Sequence, residues 1–521
     1  MSLPVAVQRV LGDRPFAEIG EPRAVAVDED RGLIAIGGSL GWLHWAGACT
    51  AARGWNPNVL GIYDRSGLRC RTVLRTRWPI WSVDFHPQQP LLAIGTGSYD
   101  GGWSFHGELL LLNLDSGEAV SPLAGSREVR AVKWRTWRHG KVLDLALAPH
   151  DEFELGNDAM VIGFDAMVSR DDWLAVRDDE IDNNELDGPL RDSDVVSPEQ
   201  ARADVEALSA EWSYRGPVWG VEQLRDGRLL ATVDGVRLES RLPSGDVEWA
   251  VHDEHGRQLF VAPDQKSAWV TAPAAGHPAR YEPDLDVVRY SLQDGKVLDT
   301  VDPAVAGVIT ARADGAFALR PLQREGRPTA FYGPDRVETG RVELGGYDFA
   351  GHSFPIRHAS ALYFLRGDLP RPSAMRQNTW VVVVEDDLVV RPLFPFVIGS
   401  DDGGIRYAGP GVEVADSLVY SGSRPDGPVD TFVVRRRVPD GEVVWRLSVD
   451  HPVTAVEVDG SILYVALNSG ELLGVDVDTG TVLWQQELSV HGHPTTALSL
   501  CSAESGRLLI GTVDGRILDC R

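Results

Sequence analysis

An all-β fold made of repeated hairpins is what this 521-residue sequence predicts. Three observations carry the prediction. Short runs that alternate apolar and polar residues recur along the whole chain, the pattern of half-buried strands. Turns rich in Gly and Asp separate the runs, as at Asp459-Gly460, Ser469-Gly470 and Asp478-Thr479-Gly480. Three of these turns also share a spacing, with Trp four residues after Gly: Gly245 and Trp249, Gly441 and Trp445, Gly480 and Trp484. Turns of the same build without the Trp recur at Gly67, Gly117 and Gly295.

The clearest unit has strands at 453–458, 462–468, 471–477 and 481–488. Gly punctuates each break because tight turns need positive φ at low steric cost. Similar units lie at roughly 23–75, 80–123, 128–176, 218–251, 257–301, 306–343, 355–396 and 404–447. Units of about 40–50 residues with four antiparallel strands are the signature of β-propeller blades. The last unit has three strands, at 495–500, 507–513 and 516–520, and residues 5–10 are the candidate for its fourth. Such an exchange would close the ring and remove two sheet edges. Ten units are counted. Because a single ring usually holds about four to eight blades, eight to ten are accepted. The expected organisation is one propeller over residues 1–521.

Residues 171–212 interrupt the pattern. From 171 to 211 there are fourteen Asp and Glu against three Arg, and the second half reads as a helix over 198–212. Ser197 fits the N-cap, Pro198 the first helical position and Gln200 the return partner of a capping box. The segment is expected to be an acidic insertion with a short helix.

Composition narrows the function classes. A formal net charge of −26 argues against nucleic acid as a partner. No apolar run is long enough to span a bilayer, and the N-terminus carries no secretory signal pattern. Cys49, Cys70, Cys501 and Cys520 are scattered without a framework, as expected for reduced thiols in a cytoplasmic protein. Lys occurs only at 133, 141, 266 and 296, an Arg bias that suggests a bacterial source with a GC-rich genome.

Two resemblances add to this reading. Ile80-Trp81-Ser82-Val83-Asp84-Phe85-His86-Pro87 and the run Leu91 to Ser98 resemble the first half of a tryptophan-aspartate (WD) repeat. The second half departs from it, with Leu112-Asn113-Leu114-Asp115 where Trp-Asp is expected. Towards the C-terminus, Ile462-Leu463-Tyr464-Val465, the run Gly470 to Asp476 and Thr479-Gly480-Thr481-Val482-Leu483-Trp484 are similar to pyrroloquinoline-quinone (PQQ)-type propeller repeats. That resemblance implies a Trp docked between adjacent blades. Secreted dehydrogenases and outer-membrane scaffolds with such repeats are set aside for want of an export signal.

Motifs with catalytic or metal potential are weak. Gly37-Gly38-Ser39-Leu40-Gly41 matches the nucleophile pattern, yet Gly95-Thr96-Gly97-Ser98 stands at the same place of the next unit, which makes it a repeat feature. The acidic run 178–184 has no calcium-loop register. His252-Asp253-Glu254-His255 and His491-Gly492-His493-Pro494 are adjacent residues in turns, which cannot all reach one ion. No catalytic residue, metal or cofactor is assigned. Two long connections, 41–58 and 97–107, carry the partner-binding candidates Trp42, Trp45, Trp55, Tyr99, Trp103 and Phe105. Aromatic rings amid Gly and Asn offer contact area with few torsions to freeze. The expected function is a non-catalytic protein-binding or scaffolding subunit of a bacterial complex. The alternative is a small-molecule sensor or enzyme that uses the central pocket.

Overall fold

The computed structural model describes residues 4–43, 54–137, 140–151, 156–160, 162–182, 186, 188–192, 197–253, 255–273, 285–303, 306–321, 328–344, 354–366, 379–396, 407–423, 431–504 and 506–521. Among these residues it is all-β apart from one α-helix and short 3-10 turns. Eight sheets have four strands, and others have five, three and two. Each of the ten sequence units overlaps one of the larger sheets, here called first to tenth in chain order. This architecture is consistent with a β-propeller.

By contacts the chain divides into two compact units. Unit 1 comprises residues 1–13, 42–55 and 215–521, and unit 2 residues 14–41 and 56–214.

Unit 1 holds the fourth to tenth sheets. The tenth is built from Ala497–Ala503, Arg507–Thr512, Ile517–Cys520 and, as its fourth strand, Val7–Leu11. The N-terminal strand runs antiparallel to Ile517–Cys520, with Leu11 opposite Ile517 and Val10 opposite Leu518. Side chain to backbone bonds tie each sheet to the next. Thr232 Oγ1 donates to Arg257 O at 2.7 Å, and Gln258 exchanges two bonds with the Ile309 backbone at 2.9 and 3.1 Å. Arg320 reaches Leu365 O at 2.9 Å, Glu413 accepts from Ser360 at 2.6 Å, and Trp445 Nε1 donates to Val477 O at 2.8 Å. Thr454 Oγ1 donates to Ala497 O at 2.6 Å. The tenth sheet in turn reaches the fourth, through Ser499 Oγ to Val218 O at 3.0 Å and an apolar cluster joining Leu11, Leu509 and Ile517 to Val218, Val221 and Leu229.

The Gly and Trp spacing has a specific packing role. Gly480, at φ +72°, has so little room that a Cβ would stand 2.7 Å from the Trp445 ring. Gly295 meets Trp249 in the same way at 2.7 Å, Gly441 meets Phe394 at 2.4 Å, and Gly245 meets Leu11 at 2.7 Å. Each Gly is therefore a socket in the last turn of one sheet for a large side chain of another, the preceding sheet for Gly295, Gly441 and Gly480 and the tenth for Gly245. The inter-sheet docking implied by the repeat resemblance takes this form.

The seventh sheet is irregular. Its strands Leu362–Arg366, Trp380–Val384 and Val390–Pro395 are three, and the segment before them, Ile356–Arg357, pairs in parallel with Tyr407–Val414 of the eighth sheet. His358 follows at φ 57°, an uncommon backbone conformation for a residue other than Gly.

Unit 2 packs the first three sheets face to face, with Ile80, Val83 and Leu92 against Leu33, Ala35 and Leu60, and Trp134 and Leu145 against Leu91 and Leu111. Trp134 N and Nε1 both bond Asp84, at 2.7 and 3.1 Å. The segment expected to be an insertion is partly built into this unit. Trp173, Val176 and Ile181 are buried in its core, and Leu190–Asp192 is the fourth strand of the third sheet. The helix α1 (Pro198–Leu208) buries Ala201 and Val205 and ties Arg202 to Glu21 at 2.5 Å. It ends before the expected 212 because Ser209 turns to an extended conformation. Ser197 Oγ accepts from Gln200 N as expected, but the Gln200 side chain turns forward to Asp204 and leaves the capping box half made. At its far face the third sheet carries an ion-paired surface, Asp144 with Arg135 at 2.7 Å and Asp165 with Arg191 at 3.0 Å.

Candidate functional site

In unit 1 the first strands of successive sheets share a register. Val218–Gln223, Val453–Asp459 and Ala497–Ala503 each shift register after their first residue. Counting from that residue, the fifth positions are Glu222, Glu457 and Cys501. These strands, with Leu259–Val261, Val308–Ala311 and Ile356–Arg357, line a cavity of about 430 Å³, within the size range of ligand pockets.

Arg357 binds the fifth-position carboxylates together. It lies 2.8 Å from Glu222 and 2.8 Å from Glu457, while His358 Nε2 is 2.7 Å from the second oxygen of Glu457. The parallel pairing of Ile356–Arg357 with the eighth sheet puts both side chains there. Burial works against the Arg357 charge, but Glu222 and Glu457 outweigh it and hold its pKa above the ordinary arginine value. Glu457 is fully buried; burial would raise its pKa, yet Arg357 and His358 bring it below the usual carboxylate value. Burial, then the Glu222 charge, pushes the Cys501 thiol far up, so it stays protonated at neutral pH.

A second arginine, Arg257, is held by Asp234 at 2.6 Å and lies over the Trp219 ring at 4.7 Å. The wall hydroxyls of Thr454 and Ser499 donate to backbone carbonyls of neighbouring sheets. Their protons are thus committed to structure. Among the described residues, no group of three His, Cys, Asp or Glu side chains is arranged to hold a metal ion.

The aromatic candidates fall in different places. Trp42 and Trp103 are each 55% exposed, whereas Phe105 and Trp55 are buried and cannot present their rings to a partner. Phe105 packs on Ala148 and Ala159, lies tilted against Tyr99 with ring centroids 5.0 Å apart and sits under Arg130. Its type, large and apolar, suits a core as well as a surface, and the structure uses it for the former. Tyr99 is half-buried, Trp45 lies outside the described residues, and Trp42 and Trp55 belong to unit 1 while Tyr99, Trp103 and Phe105 belong to unit 2. The sequence motifs take structural places too. Ser39 ends the strand Leu33–Ser39 rather than a nucleophile elbow, His255 faces Asp234 at 3.4 Å, and His491 faces Asp13 at 2.8 Å. Asp178 accepts from Ser121 N at 2.7 Å; Glu254, Asn183 and Asn184 lie outside the described residues. Cys501 and Cys520 are buried free thiols and Cys70 is partly buried, while Cys49 lies outside the described residues.

Residues 400–519 match the family model of PQQ-type repeats described as outer membrane protein assembly factor BamB. The match covers the eighth to tenth sheets, where the repeat resemblance was read in the sequence. No curated protein matches the chain. No helix among the described residues is long and apolar enough to cross a membrane.

The cluster of Arg357 with Glu222 and Glu457 was missed from sequence, although a signal for half of it exists. Val218-Trp219-Gly220-Val221-Glu222 and Val453-Thr454-Ala455-Val456-Glu457 share the form Val-x-x-Val-Glu. A carboxylate on an otherwise apolar first strand marks a buried partner in waiting.

Proposed function

We propose that this protein is a non-catalytic binding or scaffolding subunit of β-propeller type, acting in the cytoplasm of a bacterium. In this reading unit 1 is a ring of seven blades closed by Val7–Leu11, and the three sheets of unit 2, with their likeness to WD-type repeats, bring the blades to ten. Bonds from each sheet of unit 1 to the next, and from the tenth to the fourth, support the ring. The observation that carries the non-catalytic reading is the state of the cavity wall. Its Thr454 and Ser499 hydroxyls donate to main-chain carbonyls and the nearby Cys501 thiol is driven towards its protonated form, so none of these three is an activated nucleophile. Likeness of the C-terminal sheets to a family described as an assembly factor favours a protein partner. Nucleic acid and membrane are not among the proposed partners.

Affinity capture of the full chain from its native host, followed by mass spectrometry, tests this. The expected result is one protein recovered in stoichiometric amount and lost on Trp42→Ala or Trp103→Ala. Recovery of no such protein by the unaltered chain would overturn it. A second reading, a small-molecule sensor, is favoured by the cavity of about 430 Å³ in unit 1.

A further inference from the structure

Polar groups with unused hydrogen-bonding capacity meet on the wall of the unit 1 cavity. Its lining mixes Glu222, Thr310, Arg357 and His358 with apolar neighbours such as Phe260 and Val456. Arg357 is engaged through Nε, with Glu457 at 2.8 Å, and through Nη2, with Glu222 at 2.8 Å. Its remaining nitrogen, Nη1, has no partner among the described residues and is not sealed off from solvent. Glu222 gives one oxygen to Arg357, and its other oxygen accepts from the Cys501 thiol, a weak donor, at 3.6 Å. Both side chains stay accessible, Arg357 to 29% and Glu222 to 27%. A free guanidinium N–H and carboxylate lone pairs therefore stand side by side on one wall.

Charge on this wall is already compensated. Arg357 has two carboxylates, Arg257 has Asp234 at 2.6 Å, and Arg312 has Asp314 and Asp386 at 2.7 Å each. An entering ion of either sign would give up its water without meeting an unpaired opposite charge. A hydroxyl group needs no such charge, and it both donates and accepts. Two neighbouring hydroxyls can take the Arg357 N–H and a Glu222 oxygen together, where a group that only donates or only accepts satisfies one of the two. The C–H faces between hydroxyls suit the apolar part of the lining.

We infer that the unit 1 cavity binds an uncharged polyhydroxylated molecule of the sugar class, with neighbouring hydroxyls on Arg357 and Glu222. This rests on the small-molecule reading of that cavity and names its ligand class. Isothermal calorimetry of the full chain slightly below neutral pH tests it with glucose, galactose and mannose, each beside its amino sugar and its uronic acid. At least one neutral hexose is expected to give saturable heat, with its charged derivatives binding roughly tenfold more weakly or not at all. Arg357→Lys keeps a cation for the carboxylates and removes the free N–H, and should weaken that hexose by about fivefold, the worth of one ordinary hydrogen bond. Glu222→Gln takes one of the two carboxylates from Arg357 and should narrow the gap between the hexose and its uronic acid, a shift that mere loosening of the wall would not give. No saturable heat from any neutral hexose, unchanged affinity in a folded Arg357→Lys protein, or an unchanged gap in a folded Glu222→Gln protein would each overturn the inference. The comparison of neutral and charged sugars uses the unaltered chain, so it decides the matter even where a variant does not fold. Tighter binding by a charged derivative would overturn the uncharged class while leaving the small-molecule reading in place, and the two therefore fail separately.

Discussion

Replacing Gly480 with Ala tests the packing rule on which the sheets of unit 1 are assembled. Two costs are expected, and they are separable. Gly480 sits at φ +72°, where an L residue with a Cβ is strained by about 1 kcal/mol. The added Cβ would also stand 2.7–2.9 Å from three atoms of the Trp445 indole. That ring cannot simply swing away, because it is buried and its Nε1 donates to Val477 O at 2.8 Å. Overpacking of this kind adds about 1–3 kcal/mol, for a total of roughly 2–4 kcal/mol. Gly460 is the internal control: it has φ +57° and nothing within 4 Å of the added Cβ, so Gly460→Ala should cost only about 1 kcal/mol. Urea denaturation followed by Trp fluorescence compares the two variants. In a Trp445→Ala background the extra cost of Gly480→Ala should vanish, since neighbours that touch are not additive. Equal midpoints for the Gly480 and Gly460 variants in the parent chain would refute the socket.

Three further outcomes are expected. Deleting residues 1–12 removes the fourth strand of the tenth sheet and should lower the unfolding temperature of unit 1; in that background Gly245→Ala should lose its penalty from contact with Leu11, as differential scanning calorimetry would show. Glu239 is buried, which would raise its pKa, but Arg215 and Arg241 outweigh burial and lower it to about 2. A lowered carboxylate stabilises above its unfolded value near 4.5 and loses that contribution as pH falls towards 2. Glu239→Gln should therefore cost roughly 3 kcal/mol at pH 7 and flatten the acid limb of stability against pH, measured by denaturation across that range. Cys501, driven up by burial, should resist iodoacetamide at pH 8 in the folded chain and react once urea unfolds it, as peptide mass spectrometry would reveal.

What could be read from the sequence was whatever depends on neighbours along the chain. Strand periodicity and Gly turns located each sheet, and the missing fourth strand near Cys520 pointed to the N-terminus because an open edge needs a partner. The shared Gly and Trp spacing was visible as a repeat, but its meaning was not, since each of these Gly receives a side chain of another sheet (Trp445 at Gly480, Phe394 at Gly441, Leu11 at Gly245) and not its own Trp. Phe105 shows a second limit: residue type alone does not say whether an aromatic side chain faces out or in. The charged cluster was the least legible. Arg357 lies 100 residues from Glu457, and the strand that carries it joins its neighbour in parallel, where the other strand pairings among the described residues are antiparallel. No local pattern encodes such a departure.

The antiparallel partnership of Val7–Leu11 with Ile517–Cys520 also sets a timetable for synthesis. A ribosome releases the first of these strands long before the second. Residues 14–214 contain all of unit 2, whose segments close in the chain can pack as they emerge. Unit 1 has no such liberty. Its N-terminal strand must wait beside the growing chain until Cys520 has left the exit tunnel, so the last sheet is completed only after translation has passed every other one.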